Sequence, residues 1–200
     1  MAMNLSITGL VRPGLSAVSV AATAGECIAL RGASGSGKSL FLRAVADLDP
    51  NEGEVVLGEM NRAQTAAPDW RRAVAYLHPE SGWWADTVSP HFGNWAAALE
   101  LIEGFGLSPD IGGWAVSRLS TGEKQRLALV RLLCADPRLL LLDEPTSALD
   151  GQSIAAVERE LSARLAGGAI ILMATHDAAQ AERLGARILE FEAGVAKEEA

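Results

Sequence analysis

Residues 32–39 read GASGSGKS, and more than any other stretch they limit how the chain can fold. They fit the pattern G-x-x-x-x-G-K-[ST], in which glycines let backbone N–H groups turn inward and approach phosphate oxygens. Lys38 supplies a positive charge near the β and γ phosphates, and the Ser39 hydroxyl can ligate Mg²⁺. The stretch therefore predicts a phosphate-binding loop. This loop consists of Gly32, Ala33, Ser34, Gly35, Ser36, Gly37, Lys38 and Ser39.

The alternative interpretation is a chance glycine turn, and the position of the loop argues against it. The apolar run ECIALR at residues 26–31 predicts a strand directly before the loop. Leu40, Ala44 and Leu48 recur at helical spacing after it. The phosphate-binding mechanism needs this strand and this helix, whose N-terminus adds a partial positive charge.

A second stretch, LLLLDEPTSALD at residues 139–150, contributes acidic groups. Its apolar start predicts a strand covered on both faces. Asp143 then lies at the carboxyl end of a buried strand, where ligands bind in open α/β sheets. Because a buried acid is costly unless it meets a cation, we expect Asp143 to share a Mg²⁺ ion with Ser39. Glu144 can deprotonate an attacking water, although both acids could instead merely cap the next turn.

A third stretch, LSTGEKQR at residues 119–126, begins a helix. Ser120 followed by Glu123 forms a capping box, which by itself is a purely structural feature. Gly122 lowers helix propensity in the first turn. A glycine at this place is useful if an anion approaches the helix N-terminus closely.

The rest of the chain alternates between strands and helices, which predicts a mostly parallel sheet with helices on both faces. Alternating residues around Leu5 and Val18 predict a small antiparallel β part at the N-terminus. Further strands are predicted within 49–59 and at 73–77, 139–142, 169–174 and 186–191, and helices at 38–48, 120–134, 153–166 and 177–184.

Residues 80–118 interrupt this rhythm and contain four of the five tryptophans. We interpret them as an inserted helical subdomain within one domain that covers residues 1–200. The last four residues, KEEA, are expected to fray.

Composition restricts the classes of function. About half of the 200 residues are apolar, which excludes a mainly disordered chain. No apolar run approaches the length of a membrane span, and no secretory signal is evident, so we expect a cytosolic chain. The net charge of −8 disfavours nucleic acid as a partner. Cys27 and Cys134 lie in apolar runs and are expected to be core residues.

Together the motifs resemble those of ATP-binding cassette (ABC) ATPases, the nucleotide-binding subunits of ABC transporters. They occur in the order of that family and cover nearly the whole chain. Residues 32–39 resemble Walker A, 119–125 the signature with Thr121 for its first glycine, 139–144 Walker B, 147–150 the D-loop, and His176 the switch histidine.

This resemblance implies an ATPase with bound ATP and Mg²⁺, in which Glu144 and His176 are catalytic. It also implies an ATP-dependent dimer, either a homodimer or a heterodimer with a second cassette. ATP bound at Lys38 of one subunit would be closed over by Ser120 and Gly122 of the other. The implied interface residues are Ser120, Thr121, Gly122, Glu123 and Asp150.

The resemblance further implies a polytopic membrane permease as partner, with the chain peripheral on the inner face of the cell membrane. Trp83 and Trp84 would then anchor a cytoplasmic helix of that permease. The alternative for each ring is packing inside the helical subdomain. Since adjacent residues point in different directions, one ring can pack there while the other docks. The substrate is chosen by the membrane partner and is not readable here.

Two departures from the family pattern bear on the site. No aromatic residue precedes the loop to stack on adenine. Either Arg12 stacks its guanidinium there instead, or contact with the base is weak. Pro79 occupies the position of a glutamine that helps to coordinate Mg²⁺, with Glu80 as a possible substitute. Pro79 leaves a poorly hydrolytic, nucleotide-controlled clamp as an alternative. A soluble ABC ATPase is a further alternative that does not depend on these departures.

Overall fold

The computed structural model describes residues 3–198, which form ten strands in two sheets. The strands are β1 (Asn4–Arg12), β2 (Leu15–Thr23), β3 (Cys27–Arg31), β4 (Glu52–Leu57), β5 (Met60–Asn61), β6 (Val74–Leu77), β7 (Leu139–Asp143), β8 (Ile170–Ala174), β9 (Arg187–Glu192) and β10 (Val195–Glu198).

Six α-helices and four short 3-10 turns complete this part of the chain. The helices are α1 (Lys38–Val45), α2 (Ala67–Ala73), α3 (Trp95–Gly104), α4 (Thr121–Leu133), α5 (Gly151–Ala166) and α6 (Ala178–Arg183). The 3-10 turns are Arg62–Gln64, Ser89–His91, Pro109–Gly113 and Val116–Arg118. Between residues 3 and 198, no helix combines the length and the apolar character needed to cross a bilayer.

The larger sheet has the strand order β10-β9-β3-β8-β7-β6, and every neighbouring pair except β10–β9 is parallel. Every residue of β7 and of β8 is buried, as expected for strands that helices cover on both faces. The predicted mostly parallel sheet is therefore confirmed. Its geometry brings the loop after β3 and the end of β7 to the same edge.

The smaller sheet is antiparallel, with the order β2-β1-β4-β5, and confirms the predicted N-terminal β part. One hydrophobic core joins this sheet, α1 and one face of the larger sheet. A second core on the opposite face contains residues of α3, α4 and α5. Helices on both faces are thus observed.

The segment 80–118 contains α3, which packs against α4, and three of the 3-10 turns. A backbone bridge between Thr87 and Ala115 joins the two ends of the segment. Its buried side chains belong to the second core, so the segment is packed on the main body rather than isolated. The buried members are Val88, Phe92, Ala98, Ile102, Phe105, Leu107 and Ile111.

Strand β5 was not predicted, and three further elements differ from the predictions. Helix α1 ends at Val45, before the predicted Leu48, because Asp47 has a left-handed backbone with φ of 57°. Helix α2 was not predicted, since it spans only seven residues and begins around a proline. Strand β10 contains Lys197 and Glu198, for which fraying was expected; residues 199 and 200 lie outside the described part.

The cysteines also differ from each other. Cys27 is buried, as predicted, and burial raises its pKa to about 12. Cys134 is exposed, so its assignment to the core was wrong. It follows the last residue of α4, where the chain turns toward the surface before β7. A residue in an apolar run can therefore still face solvent when it lies at the end of a helix.

Trp70 in α2 provides a test of the first core. Its side chain is fully buried and its Nε1 donates to the carbonyl oxygen of Val45 at 3.0 Å. We expect Trp70→Ala to lower the free energy of unfolding by about 3–5 kcal/mol, because it leaves a cavity and an unpaired carbonyl. Trp84→Ala is the control, since Trp84 is 69% exposed; we expect it to cost less than about 1 kcal/mol. Urea denaturation measures both, and equal losses would contradict this account.

Candidate functional site

The loop between β3 and α1 has a backbone that glycine alone adopts easily. Gly32, Gly35 and Gly37 have φ values of 134°, 77° and 113°. At Gly32 an added Cβ would lie 2.1 Å from the carbonyl oxygen of Phe191. The loop is therefore pressed against the end of β9, and its glycines are required both by conformation and by space.

Two polar side chains of this loop are buried. Lys38 is 6% exposed, and its Nζ donates to the carbonyl oxygens of Gly32 and Ala33 at 2.8 and 3.0 Å. Ser36 is also 6% exposed, and its Oγ has no hydrogen-bond partner among the described residues. A buried hydroxyl without a partner is costly, so the loop is arranged to receive a polar ligand.

Asp143 ends β7 and is 3% exposed. Its Oδ2 accepts a hydrogen bond of 3.0 Å from the hydroxyl of Tyr76 on β6. Burial, and then the charge of Asp143, raise the pKa of Tyr76, so this hydroxyl remains a donor. A buried carboxylate with an uncharged partner is suited to a cation. Sequence reasoning missed Tyr76, because the alternation of residues along a four-residue strand does not show which side chain its hydroxyl contacts.

Glu144 follows directly and has a left-handed backbone with φ of 52°. Its Oε1 lies 3.2 Å from Nε2 of His176. Burial raises the pKa of Glu144, the nearby His176 opposes this shift, and Asp143 adds to it. The structure thus brings the two residues predicted to be catalytic next to each other.

These groups surround one cavity of about 410 Å³. Residues 34–40, Pro79, Asp143, Glu144 and His176 line it. Its volume is within the range of small-molecule sites. The Ser39 hydroxyl and the Asp143 carboxylate are the oxygen donors that Mg²⁺ prefers, and the buried charge of Asp143 fits such an ion. Glu80 is exposed and does not line the cavity.

The signature residues lie elsewhere. Ser120 caps α4: its Oγ accepts from the Glu123 N–H at 3.2 Å, and a Glu123 carboxylate oxygen accepts from the Ser120 N–H at 2.8 Å. The predicted capping box is therefore present. An added Cβ on Gly122 would lie 3.1 Å from the carbonyl oxygen of Ala148, which is a contact within the chain itself. Ser120, Thr121, Gly122 and Glu123 do not line the cavity of their own chain.

Gln125 connects this helix to the acidic end of β7, and sequence reasoning missed it. Its Nε2 donates to the Glu144 carbonyl oxygen at 2.7 Å, and its Oε1 accepts from the Ala148 N–H at 3.1 Å. The signal was available, because Gln125 lies on the same buried stripe of α4 as Leu129 and Leu132. A polar residue on a buried stripe indicates a specific partner.

Asp150 caps α5 by accepting hydrogen bonds from the Ser153 N–H at 2.9 Å and from its hydroxyl at 3.2 Å. The backbone bond lowers the pKa of Asp150 most. The structure thus gives this residue a role within its own chain.

Trp83 and Trp84 differ in exposure. Trp83 is partly buried against the second core, whereas Trp84 is 69% exposed. The ring of buried His91 lies 4.8 and 4.6 Å from the two indole centroids. The guanidinium of Arg131 lies 5.2 and 4.9 Å from them and donates to the Gly82 carbonyl oxygen at 3.1 Å. The exposed Trp84 ring is therefore held by neighbours.

His91 also holds the backbone of this pair. Its Nε2 accepts from the N–H groups of Trp84 and Ala85 at 2.9 and 3.1 Å, and its Nδ1 lies 3.0 Å from the Val88 carbonyl oxygen. These contacts require a proton on Nδ1 and none on Nε2.

The Arg12 guanidinium, a candidate for stacking on a base, is engaged in an ion pair, and the stacking itself stays a prediction. Its guanidinium pairs with Asp49, which also accepts two hydrogen bonds from Arg43 at 2.7 and 2.8 Å. These arginines, Arg43 foremost, lower the pKa of Asp49 to about 2. The sequence could not show this ion pair, because Arg12 in β1 and Asp49 after α1 are far apart in the chain.

A glycine-rich loop between a strand and a helix, next to an acid at the end of a buried strand, defines a nucleotide-binding domain of the phosphate-loop class. The sequence profile described as ABC transporter matches residues 15–147. The chain therefore belongs to the ABC transporter family.

Curated relatives agree. The chain is 39% identical over 184 residues to the aliphatic sulfonates import ATP-binding protein SsuB 3 of Pseudomonas syringae pv. tomato, covering 86% of the chain and 64% of that protein. It is 37% identical over 202 residues to the Fe(3+) ions import ATP-binding protein FbpC of Streptomyces avermitilis, covering 92% of the chain and 56% of that protein. The chain thus spans less than two thirds of the length of both.

Solved structures share the fold. The ATP binding subunit of an ABC transporter matches with a TM-score of 0.86 and 25% identity, covering 97% of this chain and 89% of that one. A bacterial Atm1-family ABC exporter with ATP bound matches with a TM-score of 0.84 and 22% identity, covering 99% of this chain and 39% of that one.

The contact of Gly32 with β9 generates a prediction. We expect Gly32→Ala to cost about 1–3 kcal/mol of stability from the backbone alone, and to abolish nucleotide binding because the loop must move away from Phe191. Gly58→Ala is the matched control, since Gly58 has a positive φ of 59° but open space around it. Thermal unfolding and the fluorescence of a labelled nucleotide measure the two effects. Normal nucleotide binding by Gly32→Ala would contradict the prediction.

Proposed function

We propose that the chain binds ATP with Mg²⁺, hydrolyses it to ADP and phosphate, and energises transport through a separate polytopic membrane subunit. The observation that carries this proposal is the convergence of Lys38, Asp143, Glu144 and His176 on one cavity. The relatives named as import proteins favour import over export. The chain would act at the cytoplasmic face of the membrane.

The phosphate loop would hold the triphosphate. Its inward backbone N–H groups, the Ser36 hydroxyl and the Lys38 ammonium offer donors to phosphate oxygens. Lys38 would exchange its two carbonyl contacts for phosphate contacts. Ser39 and Asp143 would hold Mg²⁺, which neutralises the charge that develops on the phosphates.

Glu144 would act as the general base. Its raised pKa makes the ionised carboxylate a stronger base than an ordinary glutamate. His176, 3.2 Å from that carboxylate, would orient it and contact the γ-phosphate. Because attack on phosphorus depends mainly on the position of the water, the fixed backbone of Glu144 matters as much as its charge.

A second subunit would complete the site. Ser120, Thr121, Gly122 and Glu123 start α4 away from their own cavity, and a helix N-terminus attracts anions. In a head-to-tail dimer this end would cover the ATP of the other subunit, with Asp150 nearby. The same geometry serves a homodimer or a heterodimer with a second cassette.

Glu144→Gln tests this proposal. We expect the variant to lose hydrolysis by at least about a hundredfold, because general-base catalysis contributes that much. It should retain ATP binding and dimerise with Mg-ATP, since the amide preserves shape. Turnover is measured by phosphate release and dimerisation by light scattering. Glu80→Gln is the control, because Glu80 does not line the cavity. Near-normal turnover of Glu144→Gln would refute the assignment.

We also propose that Trp84 contacts the membrane subunit. The ring is 69% exposed and lines a groove of about 470 Å³ beside β6 and α4. Leu48, 40% exposed, lies in the same groove. A large aromatic that neighbours already hold in place loses little entropy on binding, which favours it as an anchor. Trp83, packed inside, would support it.

The two tryptophans separate docking from folding. We expect Trp84→Ala to cost less than about 1 kcal/mol of stability, to leave basal ATPase activity unchanged, and to abolish co-purification with a co-expressed membrane subunit. Trp83→Ala should reduce stability by about 1–3 kcal/mol, because it opens a space in the second core. Affinity purification in detergent and urea denaturation measure these effects. Retention of the complex by Trp84→Ala would disprove the contact.

A further inference from the structure

Strand β6 ends beside the cavity, and its continuation offers no ligand there. Pro79 lines the cavity and has no side-chain oxygen, while Glu80 is exposed and outside it. The sequence of β6 is VAYL, so Tyr76 is the one polar side chain that this strand supplies.

The sheet places Tyr76 opposite the metal-binding acid. Tyr76 pairs with Leu141 on β7, and Asp143 lies two residues further along the same strand. Residues two apart point to the same face. The Tyr76 hydroxyl therefore meets Asp143 on that face, where it donates to Oδ2 at 3.0 Å.

We propose that Tyr76 is a positioning residue for the Mg²⁺ site. Its hydroxyl fixes the carboxylate of Asp143 through Oδ2 and leaves Oδ1 available to the ion. Strand β6 thus contributes to the site through Tyr76, three residues before Pro79, and not through a residue after the strand. The inference rests on the proposed function, because it assigns a role toward the ion that Ser39 and Asp143 would hold.

An uncharged donor suits this role. A cation beside Asp143 would neutralise the carboxylate and compete with Mg²⁺, whereas a hydroxyl orients it without offsetting its charge. Partners that orient metal ligands change metal affinity by about 10–100-fold when they are removed. The side chain of Asp143 is 3% exposed, so solvent cannot readily replace the lost donor.

Tyr76→Phe tests the proposal, because it removes the hydroxyl and keeps the ring. Mn²⁺, followed by electron paramagnetic resonance, reports the affinity of the ATP-bound protein for a divalent ion. We expect this affinity to fall about tenfold or more, while ATP binding in EDTA stays unchanged. Added Mg²⁺ should restore much of the turnover. A structural defect alone would not be rescued by the ion.

Thr65→Val is the matched control. Thr65 is half-buried and donates one hydrogen bond of 2.8 Å to the Asn61 carbonyl oxygen, away from the cavity. Its loss removes a hydroxyl without touching Asp143, so Mn²⁺ affinity should equal that of the unmodified chain. Mn²⁺ affinity of Tyr76→Phe within twofold of this control would overturn the proposal.

A second measurement needs no substitution at position 76. The chain has one tyrosine, so ¹³Cζ-tyrosine gives a single NMR signal from Tyr76. We expect Mg²⁺ to shift this signal in the ATP-bound protein, and Asp143→Asn to abolish the shift. An unmoved signal at saturating Mg²⁺ would overturn the proposal. If the unmodified chain fails to bind ATP at all, the proposed function itself fails, and the two failures are distinguishable.

Discussion

The parallel alignment of β3, β8 and β7 is the constraint on which the site depends. Leu30 of β3 and Asp143 of β7 are both aligned with Ala174 of β8. The phosphate loop, the acidic pair and the segment that carries His176 therefore all leave the sheet at one edge. Backbone hydrogen bonds fix this register, and a slip by one residue would turn Asp143 to the opposite face. The second core, which contains residues of α4 and α5, packs against one face of the larger sheet and stabilises it.

Hydrogen bonds between distant segments connect α4 to the residues that follow β7. Through its amide, Gln125 binds α4 to the carbonyl oxygen of Glu144 and to the N–H of Ala148. The start of α4 is therefore tied to the backbone of the proposed base, although its capping residues lie outside the cavity. A displacement of α4 by a neighbouring subunit would be transmitted to the backbone of Glu144 and Ala148 through these two hydrogen bonds of 2.7 and 3.1 Å, which are made by a side chain that is 7% exposed.

Features that follow local rules could be predicted from the sequence. The glycine loop, the buried strand before Asp143 and the capping box of Ser120 each depend on a few neighbouring residues, and each is present. Contacts that join distant segments could not be predicted, because periodicity shows which face is buried but not which side chains meet there. Tyr76 with Asp143 and Gln125 with Glu144 are of this kind, as is the pairing of Arg12 and Arg43 with Asp49. Pro79 could be placed, since it lies only two residues after the end of β6.

At Glu144 the backbone conformation lowers stability, whereas the proposed activity needs the side chain. Its φ of 52° is unfavourable for a residue with a Cβ and costs about 1–2 kcal/mol relative to glycine. A glycine there would relieve this cost and leave the sheet edge intact, but it would remove the carboxylate. Selection for thermal stability alone would therefore favour glycine here, at the expense of the carboxylate that we propose as the general base. In a stability-guided redesign, position 144 would have to be held fixed for the proposed activity to survive.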